Sequence, residues 1–99
     1  MHDDEGEKAI VTLRLPATWS GFSGGKGQLV LSANTIEELL LALKLQQPLL
    51  WEQLCTEQGF LRPNVKIFVN NAVITGQEGM QTLLTTGQEV IVLPAASHR

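Results

Sequence analysis

The sequence predicts an α+β domain, with one main helix and a second short helix on a mixed sheet of four to five strands. Three observations carry that expectation. Apolar and polar residues alternate around Val11-Thr12-Leu13-Arg14-Leu15 and again around Val65-Lys66-Ile67-Phe68-Val69, the period of half-buried strands. Between them Ile36, Leu39, Leu40 and Leu43 recur at helical spacing, so one helix face meets a core. The whole pattern fits within 99 residues, the size of one domain. A chain of that length buries roughly 60–70% of its unfolded surface, enough for a modest core without staples.

Along the chain, residues 1–7 hold four acids, a glycine and almost nothing apolar, and read as a frayed arm. The first strand starts at Ala9, and Pro16 stops it because proline lacks a donor N–H. Ser20 to Gly27, with four glycines in eight residues, reads as a flexible loop. Gln28-Leu29-Val30-Leu31-Ser32 returns as a second strand, which makes a hairpin with a long connection. Asn34 and Glu37 are placed to cap the main helix as a capping-box-like pair. Pro48 opens a second helical stretch, Leu49 to Gln58, that Gly59 can close, with Trp51, Leu54 and Cys55 on one face.

After Arg62-Pro63-Asn64 comes the strand of Val65, Ile67 and Val69, followed by an Asn70-Asn71 turn, since asparagine tolerates positive φ. Ala72-Val73-Ile74 is a short strand and Thr75 to Gly79 an irregular stretch. Met80 to Leu84 is expected as one helical turn, and Glu89-Val90-Ile91-Val92-Leu93 as the last strand, ended by Pro94. The domain is therefore residues 8–94, flanked by the arm at 1–7 and a tail at 95–99. A crossover helix requires a parallel strand pair. Pairing the first and last strands at the sheet centre supplies one, which is the ubiquitin-like β-grasp arrangement.

Composition narrows the function. A net charge of −3, and seven basic residues that form no run, give no electrostatic grip on nucleic acid. The acidic start is unlike a signal peptide. The longest apolar concentration, Leu39 to Leu45, is interrupted by Lys44 and too short for a membrane span. A single cysteine cannot form an internal disulfide, and the expected location is the cytoplasm.

Two segments carry a family resemblance. Val69-Asn70-Asn71, and then Gly79-Met80-Gln81-Thr82-Leu83-Leu84-Thr85-Thr86-Gly87-Gln88-Glu89-Val90 running on to Pro94-Ala95, resemble the C-terminal half of MoaD/ThiS-type sulfur carriers. The glycine-rich loop and leucine-rich helix of the first half are most similar to the CysO-like branch, which serves cysteine biosynthesis. The resemblance spans about residues 9–96. It implies a ubiquitin-like, non-catalytic protein whose terminal carboxylate is adenylated by an ATP-dependent partner and converted to a thiocarboxylate. The implied partners are that adenylating enzyme and a sulfur-accepting enzyme of cysteine, molybdopterin or related cofactor biosynthesis; the carrier itself holds no cofactor. Glycines suit such a terminus because a narrow channel leaves no room for side chains. Here Ser97, His98 and Arg99 stand where the pattern has a small residue and two glycines. His98 and Arg99 are bulky where a glycine-shaped channel leaves no room, which counts against thiocarboxylate transfer by this tail. The alternative is an interaction or regulatory module that docks on a biosynthetic enzyme without transferring sulfur.

The other features have structural readings. Gly24-Gly25-Lys26-Gly27 lacks the spacing, the Ser/Thr and the following helix of a phosphate-binding loop. Cys55 has no histidine near it in sequence and reads as a small packed hydrophobe. His2 and His98 make no metal site, and Glu37 and Glu38 complement a helix dipole. Trp19 and Phe22 either tuck over the core or form a contact surface. The last strand is apolar on both faces. The family pattern implies that Val90 and Val92 face the core, sending Ile91 and Leu93 outward beside Phe68. Phe68, Ile91 and Leu93, with Pro94, Ala95 and Ala96 after them, are the expected partner-binding residues.

Overall fold

The computed structural model describes residues 8–74 and 79–94. The expected arm at 1–7, the irregular segment at 75–78 and the tail at 95–99 lie outside the described residues. The strands are β1 (Ile10–Arg14), β2 (Gln28–Ser32), β3 (Val65–Val69), β4 (Ala72–Ile74) and β5 (Glu89–Pro94). The helices are α1 (Ala17–Ser20), α2 (Ile36–Gln46) and α3 (Pro48–Leu54). One five-stranded sheet runs in the order β2-β1-β5-β3-β4. The central pair β1·β5 is parallel and every other pair antiparallel, as the β-grasp expectation requires.

Alternation in the strands becomes two chemically different sheet faces. On the inner face, Val69, Val90, Leu13 and Leu29 form one cross-strand row, with Ile67 opposite Val92 in the next. These residues meet Ile36, Leu39, Leu40 and Leu43 of α2 and Leu50, Trp51 and Leu54 of α3 in a single core. Each fully buried aliphatic side chain contributes about 1.5–3 kcal/mol through removal from water.

The main helix starts one residue later than the sequence suggested. Thr35, not Asn34, is the N-cap, accepting a hydrogen bond from Glu38 N at 3.2 Å. Asn34 is engaged elsewhere: its Oδ1 accepts from Ala9 N at 3.0 Å, and its own N–H donates to Glu38 at 2.9 Å. Thr35 therefore caps the helix while the Glu38 side chain reaches back one residue further, to Asn34 N–H, and Asn34 ties the end of the first hairpin to the helix.

Three other expectations change. Part of the predicted glycine loop is helical: α1 passes into a 3₁₀ turn, Gly21–Ser23, before the left-handed Gly24 (φ 75°). The short helix α3 ends at Leu54, because Cys55 turns to extended geometry and bridges Leu61. Glycine 79 and Thr82 close one turn (Thr82 N to Gly79 O, 3.1 Å), but Leu83 then pairs with Thr35 instead of continuing a helix.

Candidate functional site

The outer face of the sheet holds the candidate site. Because β3 and β5 present alternate residues to opposite sides, burial of Val90 and Val92 forces Ile91 and Leu93 outward. Phe68 lies directly opposite Ile91, and Lys66 opposite Leu93. Phe68 and Ile91 are half-buried and Leu93 is exposed, so all three stand where the sequence placed them. Ala95, Ala96, Ser97, His98 and Arg99 lie outside the described residues. Pro94, the last described residue, is exposed and paired with Val65.

The structure adds a residue that the sequence reading passed over. Asn70 (φ 54°) and Asn71 (φ 69°) form a two-residue turn with both residues left-handed, a geometry that matches strand twist. That turn sets Phe68 opposite Val73, which is 47% exposed. Val73, Phe68 and Ile91 then make a continuous apolar row, continued by Arg14 on β1. The signal was present in the sequence: a two-residue Asn-Asn turn fixes the register, and the register fixes the neighbour of Phe68.

Polar groups border the row. Arg14 Nη1 donates to Glu89 Oε2 at 3.0 Å, which neutralises both charges at the edge of the apolar strip. Asn70, Asn71, Gln88 and Glu89 join Phe68 and Ile91 around a shallow depression at one end. Trp19 and Phe22 do not cover this face. Trp19 belongs to the core, Phe22 packs against it, and Trp19 shares a cleft with Glu52 and Gln53 of α3 on the helix side.

Cys55 is buried, and burial pushes its thiol up to about 11 despite the opposing pull of Arg62 and Lys44. Among the described residues no three His, Cys, Asp or Glu side chains group as metal ligands. No helix among them is long and apolar enough to cross a membrane.

Comparison with known proteins fits this architecture. Mycobacterium tuberculosis CysO, described as an antigen, is 26% identical and superposes with a TM-score of 0.77, covering 87% of this chain and 99% of its own. Small archaeal modifier protein 1 from Methanosarcina acetivorans is 26% identical with a TM-score of 0.80, over 93% and 98% of the two chains. The structure of the Amycolatopsis orientalis BexX/CysO complex contains a chain of the same fold, 19% identical with a TM-score of 0.78, over 90% and 99%. No curated protein sequence matches the chain. The model of the ThiS family matches residues 14–97, nearly the whole domain. With the parallel β1·β5 core and the open apolar face already established, that match settles the affiliation: the chain belongs to the ThiS family, within the MoaD/ThiS superfamily of ubiquitin-like sulfur carriers, whose members act as carriers and not as catalysts.

Proposed function

We propose that this protein works by docking the outer face of its sheet on a partner of sulfur metabolism, an adenylating or sulfur-accepting biosynthetic enzyme. The observation that carries the proposal is the outer-face row Val73–Phe68–Ile91, which no other described element covers, with exposed Leu93 on the same side of β5. An apolar strip on a rigid sheet with a polar rim is what a protein partner desolvates at the centre of an interface. A related chain in the Amycolatopsis orientalis BexX/CysO complex supports reading the fold as a docking unit.

A second reading follows from residue identity. Ser97, His98 and Arg99 occupy the positions where the family pattern has small residues and glycines. They favour a module that docks without accepting sulfur. Incubation with a cognate adenylating enzyme, ATP and a sulfide source, followed by intact mass measurement, separates the two. The mass gain of one sulfur-for-oxygen exchange supports the carrier reading. Binding measured by calorimetry without any mass change, and abolished by Phe68→Ser, supports the docking-only module. Undiminished binding by Phe68→Ser and Leu93→Ser together would overturn the proposed face.

A further inference from the structure

The helix side of the molecule carries a second cleft, lined by apolar and charged side chains together, that the sheet-face reading does not use. Glu37, Leu40, Leu41 and Lys44 follow one another at helical spacing along α2 and form the floor of a cleft of about 360 Å³. Trp51 and Phe60 form one wall, and Met80 and Gln81 close the end. The burial is uneven in an informative way. Trp51 and Met80 are packed into the core, whereas Leu41 is 55% and Phe60 50% exposed. Leu45, one turn beyond Leu41 on the same stripe, is exposed as well.

The cleft is held open by bonds within its walls. Thr56 ties the Phe60 loop from both sides, donating its N–H to Phe60 O at 2.8 Å and accepting from Phe60 N at 3.3 Å. Gly59 turns that loop through a left-handed φ of 92°. Gln81 Nε2 donates to Glu37 Oε1 at 3.0 Å across the closed end. Lys44 lies over the Trp51 ring, its ammonium 4.7 Å from the centroid. A preformed site loses little ordering entropy when a ligand enters.

Charge identifies the occupant. The rim carries two carboxylates, Glu37 and Glu57, against one ammonium, and that ammonium already faces an aromatic ring. A second copy of this chain, with net charge −3, is repelled by such a rim. We propose that this cleft is a second docking site, on the face opposite the sheet strip, for a basic amphipathic helix of a partner protein. The α2 floor from Glu37 to Lys44 spans about 10 Å, which matches roughly two turns of a helix whose apolar side chains recur at i, i+3 and i+7. Leu41 and Phe60 meet the apolar face of that helix, and Glu57 meets its flanking lysines or arginines. The site goes beyond the sheet-face proposal, and its test does not depend on it.

The test uses the full chain, isotope-labelled, and a synthetic helix of about 14 residues with leucines at helical spacing and lysines on the flanks. Two control peptides replace the lysines by glutamates or the leucines by serines. Amide shifts centred on Leu41, Glu57 and Phe60, with binding at least about ten-fold tighter than the glutamate peptide at low salt, are expected. Glu57→Lys reverses the charge preference, Phe60→Ser weakens binding, and Phe68→Ser leaves it unchanged. Leu41→Ser checks the floor, and thermal unfolding confirms that each variant is folded. Equal binding of both charged peptides, or shifts confined to the sheet face, overturns the proposal. So do shifts at these residues that appear on concentrating the protein alone, or with neutral phosphatidylcholine vesicles alone, since they assign the cleft to a second copy or to lipid.

Discussion

Phe68 and Ile91 face each other across β3 and β5 on the open side of the sheet, while the flanking pairs Ile67–Val92 and Val69–Val90 face the core. Two strands therefore hold the hydrophobic core and the outer apolar row back to back, one residue out of phase. Substitutions on the two sides should part company. Val92→Ala is expected to lower stability by about 2 kcal/mol in urea unfolding, from lost burial and an unfilled cavity. Phe68→Ser and Ile91→Ser should each cost about 1 kcal/mol or less, and act mainly on partner binding.

Trp19 is a core residue and not a cover for the sheet face. Trp19→Ala should destabilise by about 3–5 kcal/mol, measured by denaturant unfolding, because a large buried ring leaves a cavity that cannot collapse. Affinity at the Phe68 strip, measured where the variant is folded, should be unchanged.

The Glu38 carboxylate at the start of α2 predicts a specific acid dependence. The Asn34 N–H, with Lys8 at 3.3 Å behind it, holds the Glu38 carboxyl below its ordinary range. A lowered folded value means that this stabilisation is fully present above the unfolded carboxylate pKa of about 4.3 and is lost as pH falls through the folded value. Glu38→Gln should therefore show a shallower loss of stability below pH of about 4. Thr35→Ala should cost about 1 kcal/mol with no change in that slope. Urea midpoints measured against pH check both.

Cys55 predicts the opposite window. Its thiol is pushed up to about 11 in the folded protein, against about 8.5 for a free cysteine. The group's raised folded value leaves stability intact below the unfolded pKa, and stability falls as pH rises through that value toward the folded one. Wild type should lose stability faster than Cys55→Ala across that alkaline interval, although Cys55→Ala is the less stable protein at neutral pH. At pH 7–8 the thiol should react with a disulfide reagent only as fast as the protein opens; rapid modification of the folded chain would contradict its burial.

Gly87 sits at φ 95°, and its N–H donates to Ile10 O at 2.9 Å just before β5 begins. Gly87→Ala is expected to cost about 1–3 kcal/mol, because a Cβ at that φ strains the turn that sets the β1·β5 register. Thermal unfolding checks it.

Local chemistry wrote much of this protein into its sequence. Alternation fixed which side of β1 and β3 is inner, and prolines and asparagines marked where strands stop and turn. The leucine stripe of α2 fixed the face that meets the sheet, and the Asn70-Asn71 turn was legible before its φ values were known. Long-range partners decided the rest. Asn34 and Thr35 are both good capping residues, and Thr35 serves because Asn34 bonds to Ala9, a neighbour brought in by the first hairpin. The glycine-rich connection became partly helical because Trp19 gained a place in the core against α3. Val90 through Leu93 are apolar throughout, so periodicity alone could not divide β5 between core and surface. The family resemblance supplied that division, and the register with β1 and β3 established it physically. The cleft along α2 was invisible for a related reason: Leu41, Trp51 and Phe60 come from three separate segments, and only the folded chain sets them side by side.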